Sequence, residues 1–99
     1  MKAPLFDWDR KKALLNQLKH KGLSFGEAVT VFKDENAIEA FDPDHSEDEE
    51  RFLMIGMSEK MRILVVAYCY QADDEVIRIF SARKATKKEV SFYTSGGQL

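Results

Sequence analysis

Arg78 stands in the middle of an apolar alternating run, with Val76 and Phe80 two residues to either side, and Arg83-Lys84 closes that run. A mid-strand guanidinium is costly to bury alone. It demands either a carboxylate partner, for which Glu50 and Asp7 are available, or an open cleft where an anion sits. Upstream, Lys19 and His20 end a stretch that also carries Arg10, Lys11, Lys12 and Lys21. Guanidinium, ammonium and imidazole groups together can cleave an RNA phosphodiester by attack of its own 2′-hydroxyl. The imidazole of His20 can move a proton, and the cations offset charge growing on the phosphorane. A solvated helix face whose cations match the dipole at its C-terminus accounts equally well for the stretch from Arg10 to Lys21.

Other chemistries find less support. The chain has no phosphate-binding glycine loop, no paired Cys or His pattern for zinc and no nucleophile elbow. Asp42, Asp44, His45 and Glu47 depart from calcium-loop spacing and lack its central glycine, so no metal and no cofactor is expected there, and His45 and Ser46 should make local turn contacts. Cys69, the single cysteine, lies in an apolar run and reads as a small core residue. Trp8 and Tyr68 can stack on bases or fill a core; Trp8 borders the basic stretch and is open to both.

A chain of 99 residues, 44% of them hydrophobic, forms one domain. One cysteine permits no internal disulfide, which suits a reducing compartment. No signal-peptide pattern and no apolar stretch of membrane-spanning length is present, so a cytoplasmic location and no membrane partner are expected. The net charge is −2, but its distribution says more. Residues 1–33 carry seven Lys and Arg against three acids, residues 34–50 carry nine acids and no base, and residues 51–99 carry eight bases against five acids. Fields are local over a Debye length of roughly 8 to 10 Å, so a basic cleft on a mildly acidic protein is allowed.

The elements that must position these residues follow from periodicity. Asp7 or Asp9 caps a first helix with Ala13, Leu14, Leu15 and Leu18 at helical spacing, ended by Gly22. Ser24 and Glu27 form a capping-box pair for a second helix, with Phe25, Ala28, Val29 and Phe32 as its buried stripe. Ala37 to Phe41 is a possible short strand, and Asp42 to Glu49 an exposed acidic loop. Phe52–Met57, Ile63–Tyr70 and the run from Val76 to Ala82 are β-rich, and their short links suit antiparallel hairpins. In the last run Val76, Arg78, Phe80 and Ala82 share one face, opposite Ile77, Ile79 and Ser81. Thr86 and Glu89 then open a third helix through a second capping box, and residues 94–99 form a flexible tail. The expected fold is α+β: two N-terminal helices, a three- to four-stranded antiparallel meander and a C-terminal helix.

The residues also carry a family resemblance over about residues 6 to 93. Phe6-Asp7-Trp8-Asp9 with Lys12 and Asn16, Lys19-His20, Gly22-Leu23-Ser24-Phe25 with Glu27-Ala28, and Val31-Phe32 with Asp34 resemble the N-terminal part of BrnT-like toxins. His45-Ser46 with Glu49-Glu50-Arg51, Ile55-Gly56 with Ser58, Arg62, and Arg78 to Ala85 with Glu89 and Tyr93 are similar to the remainder of that family's pattern. Two departures stand out. Lys21 interrupts a run that the family writes Lys-His-Gly, and Phe80 takes the place of a more usual Ile. The resemblance implies a RelE-like ribonuclease fold and the toxin of a type II toxin-antitoxin pair. Such a toxin is a metal-independent endoribonuclease that cleaves RNA and inhibits translation, and it needs no cofactor. It further implies neutralisation by a BrnA-like ribbon-helix-helix antitoxin, through which alone the toxin would meet DNA. Carried over by position, Arg78, Arg83, Lys19, His20 and Arg62 are the catalytic candidates, and Trp8, Lys12 and Tyr93 the substrate-binding ones. The acidic segment supports a second reading: a non-catalytic module that holds its antitoxin and acts as a co-repressor. Under a third, the chain is a purely structural α+β domain, and Arg62, Arg78 and Arg83 should then each pair internally with a carboxylate.

Overall fold

The computed structural model describes residues 4–98, which run β1 (Leu5–Trp8), α1 (Arg10–Lys19), α2 (Phe25–Val31), β2 (Ile38–Phe41), β3 (Arg51–Met57), β4 (Ile63–Gln71), β5 (Val76–Lys84) and α3 (Lys87–Thr94). The α+β expectation holds, and the three long strands form the expected antiparallel meander with β2 as its fourth member. The N-terminus corrects the rest of it. Leu5–Trp8 is a fifth strand rather than only the lead-in to a helix, and it pairs in parallel with β5, Asp7 standing opposite Arg78. The sheet is therefore mixed, in the order β1-β5-β4-β3-β2.

Local chemistry explains the helix starts. Asp9, not Asp7, caps α1, its carboxylate accepting from the amides of Lys11 and Lys12. Thr86 and Glu89 make both halves of their capping box. At α2 only half of one forms: Ser24 accepts the Glu27 amide, while the Glu27 side chain turns away into the protein. The extra residue after His20 is absorbed at the end of α1, where Lys21 and Gly22 adopt consecutive left-handed conformations (φ 52° and 83°). The second of these suits a residue without a Cβ.

The main core lies between one face of the sheet and α2, formed by Leu23, Phe25, Ala28 and Val31 against Leu64, Val66, Tyr68, Ile77, Ile79 and Ala82. Ala82 belongs with Ile77 and Ile79, contrary to simple alternation. A β-bulge is the cause: Tyr68 faces Ile79 and Ala67 faces Ser81, leaving Phe80 as an extra residue. Arg78 and Arg83, five apart and destined for opposite faces in a regular strand, are thereby both turned away from the core. They share the other face with Val65 and Cys69, both buried.

Helix α1 is unusual in what it buries. Leu14, Leu15 and Leu18 are 63%, 62% and 82% exposed, and the buried side chain is Asn16. Beyond Trp8 the edge of β5 has lost its strand partner, and Asn16 replaces it. Its amide donates to the carbonyls of Ala82 (3.0 Å) and Leu23 (3.1 Å), and its oxygen accepts from the Ala82 N–H (3.1 Å). A buried backbone pair without partners costs about 1–3 kcal/mol per group. Asn16→Ala should accordingly lower stability in urea unfolding by about 2–4 kcal/mol, whereas Leu14→Ala should change it by less than about 0.5 kcal/mol.

Candidate functional site

The docking of Asn16 brings the end of α1 beside the end of β5. Between them opens a cleft of about 440 Å³ lined by Lys19, His20, Lys21, Arg83, Lys84 and Thr86. Among the described residues, Lys19, His20, Lys21 and Lys84 have no carboxylate within 4.0 Å; the cleft's one ion-paired base is Arg83. Glu89 takes its guanidinium in a fork of 2.7 and 2.8 Å while also accepting the Thr86 amide. The arginine beside it holds the Glu89 carboxyl down to about 2, and the carboxylate in turn raises Arg83 above its ordinary value. The fork fixes Arg83 but does not exhaust it. A guanidinium has five N–H donors, and Arg83 remains 40% exposed.

Lys12 and Arg78 lie further along the same strand. Lys12 occupies the flank of α1 that carries Asn16 and Lys19, at i, i+4 and i+7, and places its ammonium 5.2 Å from the Phe80 ring centre. Arg51 sits 4.0 Å over the same ring. Arg78 is in register with Cys69, which is itself in register with Arg51, so a row of bases crosses the sheet. Arg78 is bonded to Asp7, its neighbour on β1 and one of the two carboxylates anticipated for it.

The remaining candidates stand apart. Arg62 turns toward α2 and forms two bonds to Glu27, at 2.7 and 2.5 Å; Glu27 also accepts from the Ser58 hydroxyl (2.6 Å) and is almost wholly buried. The arginine holds the Glu27 carboxyl below its usual range. This cluster fastens the β3–β4 turn to α2. Tyr93 donates to Asp34 (2.6 Å), which also accepts the Met57 amide, and that bond pushes the phenol up to about 12. Trp8 faces the core, edge-on to Phe25 at 5.9 Å, and is half-buried. The catalytic and substrate-binding candidates therefore do not all share one groove. Lys19, His20 and Arg83 come together, Lys12 and Arg78 flank the same strand, Arg62 and Tyr93 hold other joints, and each of the three arginines has a carboxylate. Lys21 and Lys84 were not singled out from the sequence as site residues. The signal for Lys84 was its place between Arg83 and the capping box, at a strand end where a side chain clears the sheet.

In the acidic loop, His45 contacts Asp42 (2.9 Å) and Ser46 bonds back to the Asp42 carbonyl. Cys69 is buried, which pushes its thiol up.

Residues 8–89 match the model of a family described as the ribonuclease toxin BrnT of type II toxin-antitoxin systems. This chain belongs to the BrnT family. Among solved structures it is similar to the Brucella abortus ribonuclease toxin BrnT, with 22% identity and a TM-score of 0.61 over 86% of this chain and 100% of that one. At that identity the likeness carries the fold. Among curated proteins none matches significantly. A BrnT family member carries a ribonuclease toxin's family-level activity and implies an antitoxin partner and an RNA target. No helix among the described residues is long and apolar enough to cross a membrane.

The Arg83–Glu89 fork makes a pH prediction. A carboxyl depressed by folding contributes stability that is complete above its unfolded value of 4.5 and is lost as pH falls through about 2. Wild-type urea midpoints should fall across that window, and Glu89→Gln should flatten the fall while lowering stability at neutral pH.

Proposed function

We propose that this chain is a metal-independent endoribonuclease toxin on a RelE-like ribonuclease scaffold, which cleaves RNA, inhibits translation and is neutralised by a BrnA-like ribbon-helix-helix antitoxin. The observation that carries this reading is the cleft between α1 and β5, where four basic side chains without carboxylates surround a fifth already fixed in place. Together with family membership it supports reading the cleft as a phosphate site. Arg83, oriented by Glu89, donates to the non-bridging oxygens, and Lys19, Lys21 and Lys84 add charge against the phosphorane. His20 is the group at hand to move a proton between the 2′-hydroxyl and the leaving 5′-oxygen. Lys12, Arg78 and the ring of Phe80 extend the surface along β5 for neighbouring nucleotides. Trp8 would reach a base only through the part of its ring that Phe25 leaves open. Arg62 and Tyr93 stand outside the cleft, and their part in this reading is to hold other joints of the scaffold.

The pairing of Arg62, Arg78 and Arg83 with carboxylates meets the geometric condition of the purely structural reading, and the nine acids of residues 34–50 support the other, in which the chain holds its antitoxin, co-represses and cuts nothing. Holding a partner is common to the toxin and co-repressor readings, and cleavage belongs to the first alone. The chain freed of antitoxin is expected to cut single-stranded RNA and to arrest growth when expressed. Arg83→Ala should reduce cleavage by about 100-fold. Lys19→Ala and Lys84→Ala should each weaken RNA binding and reduce the slope of log K against log salt by about 0.7. Arg62→Ala should instead lower the unfolding midpoint. A wild-type chain that neither cuts RNA nor slows growth leaves the co-repressor reading in place.

A further inference from the structure

We infer that the outer face of α1 is the seat of an acidic amphipathic helix supplied by a partner chain, and that this helix and RNA exclude one another. The inference rests on the toxin reading for the partner's role and on the structure for its chemistry. At about 100° per residue, Leu14, Leu18 and Leu15 fall within one arc of about 100°, nearly opposite Asn16. All three are more than 60% exposed among the described residues. Exposed leucines standing singly are ordinary, but three adjoining ones on a helix that buries an asparagine form a contiguous apolar stripe. A stripe with this spacing on one helix receives the i, i+3, i+4, i+7 face of another.

Charge selects the occupant. Arg10, Lys11, Lys12, Lys19 and Lys21 surround the stripe, and no acid occurs between Asp9 and Glu27. Two copies of α1 packed face to face would bring ten cations together, and the acidic loop of a second copy, Asp42 to Glu50, has no apolar residue apart from Pro43 to fill the stripe. A helix with leucine-type residues on one face and Asp or Glu along its margins satisfies both requirements. Its position sets the consequence. Lys12 and Lys19 lie on the flank between the leucines and β5, and Lys19 lines the cleft. Carboxylates seated there neutralise the cations that RNA requires.

The test uses the full chain and two synthetic helices of about three heptads with leucine at a and d, one bearing glutamate and the other lysine at e and g. Fluorescence anisotropy should show the glutamate helix binding at least tenfold more tightly than its lysine twin. Leu14→Gln/Leu18→Gln should weaken it at least tenfold, and Lys11→Glu should narrow the preference between the twins. The glutamate helix should also raise the dissociation constant for single-stranded RNA at least tenfold. Equal binding of the twins, binding indifferent to the leucines, or simultaneous binding of helix and RNA overturns the inference. So does a concentration-dependent dimer that Leu14→Gln/Leu18→Gln dissolves, since a second copy would then cover the stripe. RNA cleavage by the leucine variant should match wild type. Should no form of the chain cut RNA while the helix still binds as described, the toxin reading fails and the docking surface stands.

Discussion

The cleft depends on how one helix is attached to the bare end of one strand. Strand β1 ends at Trp8, and from there β5 continues with unpaired backbone groups on that side. An exposed strand edge invites pairing with another chain. Asn16 closes it with a side-chain amide that presents the same donor and acceptor a neighbouring strand would offer. The third bond, to Leu23, ties the same side chain to the segment that leads into α2. Lys19 and His20 follow one turn after Asn16, so their distance from Arg83 is set by a bond between Asn16 and Ala82. A helix fixed by leucines could slide or roll on its apolar contact. One fixed by three directed hydrogen bonds cannot shift without leaving buried polar groups unmet.

The same economy governs the arginines. Each carboxylate that holds one also has a second role. Glu89 completes the cap of α3, Glu27 gathers Ser58, and Asp7 sits in the register of β1 against β5. Charges arranged this way are already oriented. The entropy of fixing a long side chain has been met in folding, so the remaining donors of Arg83 are held in place rather than carried on a free chain end. Lys19, Lys21 and Lys84 contribute positive potential without that rigidity. The cleft thus combines one anchored guanidinium with several adaptable ammonium groups.

What the sequence made legible follows the range of the interaction. Both caps with acidic side chains, the short hairpin links and the three long strands are local features, and each appears where the pattern placed it, with ends shifted by one or two residues. The β1–β5 pairing joins residues about seventy apart through four positions, too few to show a period of two, and the aspartates there have a good local reading as caps. The bulge at Phe80 leaves no mark in an apolar alternating run, yet it decides that Arg78 and Arg83 face the same way. The leucines of α1 misled in the opposite sense. Their spacing is that of a buried stripe, and only the sheet edge, which is a tertiary fact, shows that Asn16 is the residue turned inward. In the site, the basic corner of Arg83-Lys84 beside a capped helix was readable. The burial of Arg62 against Glu27 was not, since thirty-five residues separate the partners.

A protein of net charge −2 can still present a basic cleft because the sheet separates its charges. The nine acids of residues 34–50 belong to β2 and its flanking loops, at the far edge of the sheet, while α1 closes the other side. Three strand spacings of about 4.8 Å lie between β2 and β5, which exceeds the Debye length of roughly 8 Å at physiological ionic strength. Two acids of this segment come back over the sheet to partners of their own: Glu49 bonds Arg51 at 3.4 Å and is the acceptor for the Cys69 thiol, and Glu39 accepts from the Tyr68 and Tyr70 hydroxyls on β4. The remaining carboxylates are screened from the cleft by solvent and distance. Two charged regions of opposite sign on one small sheet therefore act independently, the basic one beside α1 and the acidic one about β2.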